Sequence, residues 1–155
     1  MVKTYLAGPI DGFGVDKARQ WRDDITDCLK KIGVETLNPL GINKDRLDST
    51  RKNLLEWTVF GEVQKIRKFV ASVVIPPDID MVEQCDFITL HIPENNVEIC
   101  GSYGEMTLGV YLHKPVYIIT NRSMKPIRIP KWAIGCSSEV FTTWESYLKF
   151  ISDNW

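Results

Sequence analysis

The stretch Ile99-Cys-Gly-Ser-Tyr-Gly-Glu105-Met-Thr-Leu-Gly-Val-Tyr-Leu-His-Lys-Pro115-Val-Tyr-Ile-Ile-Thr120 decides the fold. It reads as a glycine-bearing turn, a helix, a short turn at Lys114-Pro115 and a buried strand. Ser102 has N-cap chemistry, and Glu105 follows at the spacing of a capping box. Two readings of Glu105 stay open on this stretch. It caps a helix, or it points at a ligand held by backbone N–H groups that Gly101 and Ser102 expose at the helix N-terminus.

Outward from there, Cys85–Ile92 reads as a strand and 93–98 as a polar loop. Val2–Ala7 is a first strand ending at Gly8-Pro9, with a loop to Gly14 at its carboxyl end. That loop is neither a dinucleotide fingerprint nor a Walker loop. Ala18, Trp21, Ile25, Cys28, Leu29 and Ile32 fall at helical spacing from Asp16 onward, and Gly33 stops that helix. Val34–Pro39 is a second strand, and 41–53 is a polar excursion that includes the start of a helix. Leu55, Val59, Val63, Ile66 and Phe69 again fit a helix. Val70–Ile75 is either a strand or the end of that helix. Pro76-Pro77 reads as a breaker, after which Asp78 caps a short helix to Gln84. Residues 121–138 read as irregular, Glu139–Thr142 as a last strand and Thr143–Ile151 as a terminal helix.

Strands alternating with helices predict a mainly parallel five-stranded sheet covered on both faces. The expected architecture is one α/β domain over residues 1–155, a flavodoxin-like, Rossmann-like three-layer sandwich. Ligands of such sheets bind beyond the carboxyl ends of the strands. That rule gathers Gly8–Gly14, Pro76–Asp78 and Gly101–Glu105 into one crevice, which favours the ligand-facing reading of Glu105.

The composition is that of an ordinary globular chain: 155 residues, 44% hydrophobic and 25% charged. A net charge of −1 gives no bulk attraction to a nucleic acid polymer or a membrane surface. Residues 1–10 do not read as a signal peptide, and no apolar run reaches membrane-spanning length. Cys28, Cys85, Cys100 and Cys136 are scattered, and with two histidines no metal-ligand spacing arises. A cytoplasmic protein with reduced thiols, no metal and no cofactor is expected.

Three segments carry a family resemblance: Thr4-Tyr-Leu-Ala-Gly-Pro-Ile10, Asp78-Ile-Asp-Met-Val-Glu-Gln-Cys-Asp86, and Gly101-Ser-Tyr-Gly-Glu105 with Lys114-Pro-Val116 beyond it. In order and spacing they resemble the nucleoside 2-deoxyribosyltransferase-like superfamily, which includes the nucleoside 5′-monophosphate N-glycosidases. The resemblance implies cleavage of the N-glycosidic bond of a small nucleoside or nucleotide, with transfer to another base or to water. It implies Glu105 as nucleophile, Tyr5 as the residue positioning it, and Asp78 as the group that binds and protonates the leaving base. Asp80 competes for that last role. Gly8, Pro9, Asp11, Gly101 and Ser102 are the implied substrate contacts. A homo-oligomer, dimer or higher, is implied as well, with Asn121-Arg122 near a neighbouring subunit's site. An oxocarbenium-like transition state suits a carboxylate below the sugar and an acid near the base.

Plainer roles stand beside these. Asp78 is a good N-cap, Tyr5 is a strand aromatic of core type, and His91 and His113 read as structural. Trp21 and Trp57 fit helical core or interface patterns. Asp86 reads as structural. The chain also departs from the resemblance: Ile99 and Cys100 stand where deoxyribosyltransferases carry an aspartate, and Thr107 where a glycine is frequent. These departures leave the sugar and phosphate preferences open, together with a second function, a non-catalytic nucleotide-binding protein on the same scaffold.

Overall fold

A computed structural model describes residues 1–10, 14–41, 44–94 and 99–155, without the side chains of residues 15 and 44–51. Its centre is a five-stranded sheet: β1 (Val2–Ala7), β2 (Val34–Leu37), β3 (Phe87–Ile92), β4 (Val116–Thr120) and β5 (Glu139–Phe141). The order is β2-β1-β3-β4-β5, and all four pairings are parallel. This is the flavodoxin-like order, with its switch point between β1 and β3.

Helices cover both faces, as a parallel sheet requires. On one face lie α1 (Val15–Lys31) and α7 (Trp144–Asn154), packing Trp21, Ile25, Leu29, Tyr147 and Ile151 on Leu6, Phe87, Tyr117 and Ile119. Edge-to-face and tilted ring contacts join Phe87, Tyr117, Phe141, Tyr147 and Phe150. Under them a buried hydroxyl chain runs from Tyr147 to Thr89 at 2.5 Å and on to Thr4 at 2.7 Å. On the other face lie α4 (Ile75–Gln84), α5 (Cys100–Tyr111) and α6 (Lys131–Cys136), which add Met81, Val82, Met106 and Ala133 to Tyr5, Ile88, Leu90 and Ile118. Gly109 lets α5 lie close to β3: a Cβ there would sit 2.5 Å from Ile88 Cδ1. Full burial of each aliphatic side chain contributes about 1.5–3 kcal/mol, so this core is the main source of stability.

The segment between β2 and β3 departs from the sequence reading. It is helical from Lys44, as α2 (Lys44–Val59) and α3 (Val63–Phe69), broken at Gly61 with φ +66°. Val70–Val74 is a π-helical turn, not a strand, and runs directly into α4. Pro76-Pro77 therefore does not break the chain. The N–H of Ile75 bonds to the carbonyl of Val70, and the prolines fall in the first turn of α4, directly after the π turn. In the 121–138 connection, Lys131–Cys136 is a short helix.

None of the described side chains of α2, residues 52–59, is fully buried, nor is any residue of α3. Leu55, Val59 and Phe60 are 70%, 78% and 73% exposed, and Val63, Val74, Ile75 and Ile79 continue that apolar surface toward α4. No helix among the described residues is long and apolar enough to cross a membrane.

Candidate active site

Tyr5 sits in the middle of β1, flanked by Leu37 of β2 and Ile88 of β3, with its side chain on the α4/α5 face. Its hydroxyl donates to Glu105 Oε1 at 2.7 Å. Glu105 comes from the second turn of α5, and its other oxygen, Oε2, is buried without a hydrogen-bond partner. Asp78 comes from the first turn of α4 and is half-buried on the same side. Three side chains 27 to 100 positions apart in sequence thus meet at the carboxyl edge of the sheet.

Their electrostatics follow from that burial. Desolvation, reinforced by the nearby Asp78 charge, pushes the Glu105 carboxyl up to about 7; hydrogen bonds from Tyr5 and Ser102 and the charge of Arg22 pull the other way. Desolvation likewise raises Asp78 to about 6, against hydrogen bonding with Tyr5 and the charge of Arg22. Burial and the two carboxylates raise the Tyr5 hydroxyl well above its usual value, so it remains a donor. A carboxylate pair sharing one field titrates as a unit.

Ser102 does not cap α5. The helix begins at Cys100, with Ile99 at the N-cap position, so Ser102 falls inside the first turn and is buried. From there its hydroxyl favours the charged form of Glu105. The capping-box reading of Glu105 fails for the same reason. Gly101 is exposed in the first turn of α5. Gly8 and Pro9 are buried where β1 ends. A Cβ on Gly8 would lie 2.8 Å from Trp21 Cζ2 and 3.2 Å from the His91 carbonyl, so only glycine fits. Asp11 lies outside the described residues.

Asp80 is separated from Asp78 by half a helical turn. It lines a concavity of about 480 Å³ with Leu37, Asn38, Pro77 and Met81, on the β2 side of α4. A larger apolar groove of about 710 Å³ lies on the outer side of α5, lined by Tyr103, Thr107, Tyr111 and Trp132. Glu105 lines neither. Asp86 is structural, its carboxylate accepting from the Lys3 N–H at 2.7 Å. His91 packs between Trp21 and Trp144, and burial lowers it to about 4. His113 holds a left-handed position, φ 58°, just past α5. Arg122 donates to the Pro93 carbonyl at 2.7 Å. Trp57 is half-buried against Phe69. Among the described residues, no three His, Cys, Asp or Glu side chains gather as a metal site would need.

Sequence reasoning passed over Arg22. It lies on the apolar stripe of α1, four residues after Ala18 and three before Ile25, and is fully buried. A charged residue in an apolar stripe was the available signal, since such a group is buried only with partners.

No protein-family model matches the chain, and no curated protein matches it. Solved structures do. A 2-deoxyribosyltransferase from Leishmania mexicana superposes with a TM-score of 0.61 at 16% identity, over 99% of both chains. A conserved protein from Enterococcus faecalis V583 gives 0.62 at 16%, over 100% of this chain and 99% of its own. The CMP N-glycosidase BcmB of Clostridium botulinum gives 0.52 at 13%, over 99% of both chains. The chain therefore has the fold of a 2-deoxyribosyltransferase and of a CMP N-glycosidase, across essentially its whole length.

Proposed function

We propose that this chain is a single-domain enzyme of the nucleoside 2-deoxyribosyltransferase-like kind, cleaving the N-glycosidic bond of a (deoxy)nucleoside or nucleotide. The observation that carries the reading is the Tyr5–Glu105 hydrogen bond of 2.7 Å, with the second carboxylate oxygen buried and unpartnered, at the carboxyl edge of the sheet. A nucleophile needs such an oxygen, oriented by its twin and left without a competing donor.

In this reading Glu105 Oε2 attacks the anomeric carbon as the bond to the base nitrogen breaks. The bonding pair leaves with the base, and Asp78, raised to about 6, delivers the proton. The glycosyl ester on Glu105 is then displaced by the nitrogen of a second base or by water, whose proton passes to the Asp78 carboxylate, so that both carboxyl groups return to their starting states. Tyr5 and Ser102 hold Glu105. Gly8, Pro9 and Gly101 offer backbone to the substrate, and the proposal extends to Asp11. Written this way, the reaction calls on no cofactor. The exposed apolar surface of Leu55, Val59 and Phe60 supports self-association as a homo-oligomer.

The test is turnover. Deoxynucleosides, ribonucleosides and their 5′-monophosphates are incubated with the protein, with and without a second free base, and products are separated by chromatography. Base release that Glu105→Ala abolishes is the expected result. New nucleoside formed only with an acceptor present identifies a transferase, and release into water a hydrolase. Tight binding of one nucleotide with no turnover overturns the catalytic reading and leaves a binding protein on this scaffold.

A further inference from the structure

Arg22 is the one fully buried arginine among the described residues. Its guanidinium spreads over three carbonyls: Nε donates to Leu6 at 3.3 Å, Nη1 to Ala18 at 2.8 Å and Nη2 to Gly8 at 2.9 Å. Its carbon lies 4.4 Å from the centre of the Trp21 ring. Trp21 in turn packs against Gly8, the residue that a side chain would displace. Adjacent residues of α1 therefore clamp one peptide from two sides, one by its carbonyl and one by its Cα. That peptide is where β1, carrying Tyr5, passes into the Gly8–Gly14 loop.

We propose that Arg22 is a positioning residue for the Tyr5–Asp78–Glu105 site, fixing the exit of β1 through the Leu6 and Gly8 carbonyls and holding a buried positive charge beside the strand that carries Tyr5. The proposal rests on the glycosyl-transfer reading for its kinetic consequence but not for its structural one. A planar fork of donors suits three divergent carbonyls, whereas a lysine ammonium is a single point charge on a flexible stem. The charge of Arg22 acts on Tyr5, Asp78 and Glu105 in the same direction, lowering each. The charged and titratable groups that act on Glu105 are Tyr5 from β1, Asp78 from α4 and Arg22 from α1, and the charge of Arg22 also acts on His91 of β3.

The experiment compares wild type, Arg22→Lys and Arg22→Met as full-length, ligand-free protein. Carboxyl carbon NMR follows the Glu105 titration, amide NMR follows Gly8, and kcat and KM are measured across pH on whichever nucleoside wild type turns over. In R22M the Glu105 midpoint and the acid limb of kcat should both rise by about one pH unit. At neutral pH its kcat should fall about tenfold, with KM changing less. R22K should restore the midpoint but not kcat, with the Gly8 amide still displaced. A folded R22M with wild-type midpoint, Gly8 amide and kcat overturns the proposal and leaves Arg22 merely structural. Should R22M not fold, R22K decides: wild-type kcat with an unmoved Gly8 amide overturns it. Should wild type turn over nothing, the enzymatic reading fails, while the two NMR readouts still decide the part played by Arg22.

Discussion

The crest of the sheet and the α2–α3 arm are built on opposite plans. At the crest, polar and charged groups are sunk among apolar ones: Arg22 is fully buried, and Glu105 keeps an unpartnered oxygen inside. On the arm, apolar groups are turned outward, with Leu55, Val59 and Phe60 among the most exposed large side chains. Burying ionisable groups costs stability and is tolerated where their reactivity is used. Exposed apolar surface does nothing for an isolated monomer and is useful once something covers it. The crest thus reads as a place for chemistry and the arm as a place for contact.

The largest expected effect breaks the crest. Glu105→Gln should lower turnover at least about a thousandfold, measured by base release. The same variant should fold more stably at alkaline pH. The Glu105 carboxyl is raised from 4.5 to about 7 in the folded state, so the native protein holds a proton that the unfolded chain has released. Stability from this group is therefore full below pH 4.5 and lost as pH rises through about 7, and removing the group should recover about 3 kcal/mol at pH 8 in denaturant titrations.

Tyr5→Phe should cost about 10- to 100-fold in kcat, the worth of one hydrogen bond to a charged group. It should also raise the Glu105 midpoint, since that bond lowers it. A tyrosine serving only as core would leave that midpoint unmoved.

The pH profile sharpens the comparison more gently. With Asp78 near 6 and Glu105 near 7, one shared proton gives the active form, and kcat/KM should be bell-shaped with its maximum between those values. Asp78→Asn should remove the alkaline limb and move the Glu105 midpoint down, because the Asp78 charge raises it. An unchanged profile would take Asp78 out of the proton transfer.

The smallest effect belongs to the arm. Leu55→Ser with Phe60→Ser should change the stability of dilute monomer by no more than about 0.5 kcal/mol. If the arm seats on a second copy, the pair should lower the association state in sedimentation velocity, and wild-type stability should rise with concentration. Concentration-independent behaviour in both proteins would end the contact reading.

What the sequence disclosed follows the same divide. Strands β3 and β4 were legible because buried parallel strands are continuous apolar runs between breakers, and their parallel direction followed from alternation with helices. Tyr5, Asp78 and Glu105 were placed together by topology and by a resemblance spread over three segments. Ser102 was misread because its cap chemistry holds wherever a helix starts, and the N-cap of this helix is three residues earlier, at Ile99. Pro76-Pro77 was misread because a preceding π turn makes a breaker into a first turn. Helical spacing on the arm was correct, but periodicity says which residues share a face and not what covers it.

The π turn has a geometric consequence for the crest. Residues 63–84 form one uninterrupted helical rod, from the arm to the end of α4. A π turn accommodates one residue more than an α turn, and each residue is worth about 100° of azimuth. The direction in which Asp78 faces is thus fixed by a backbone insertion at Val70–Val74, beside the outward-facing arm and one helical turn before Asp78 itself.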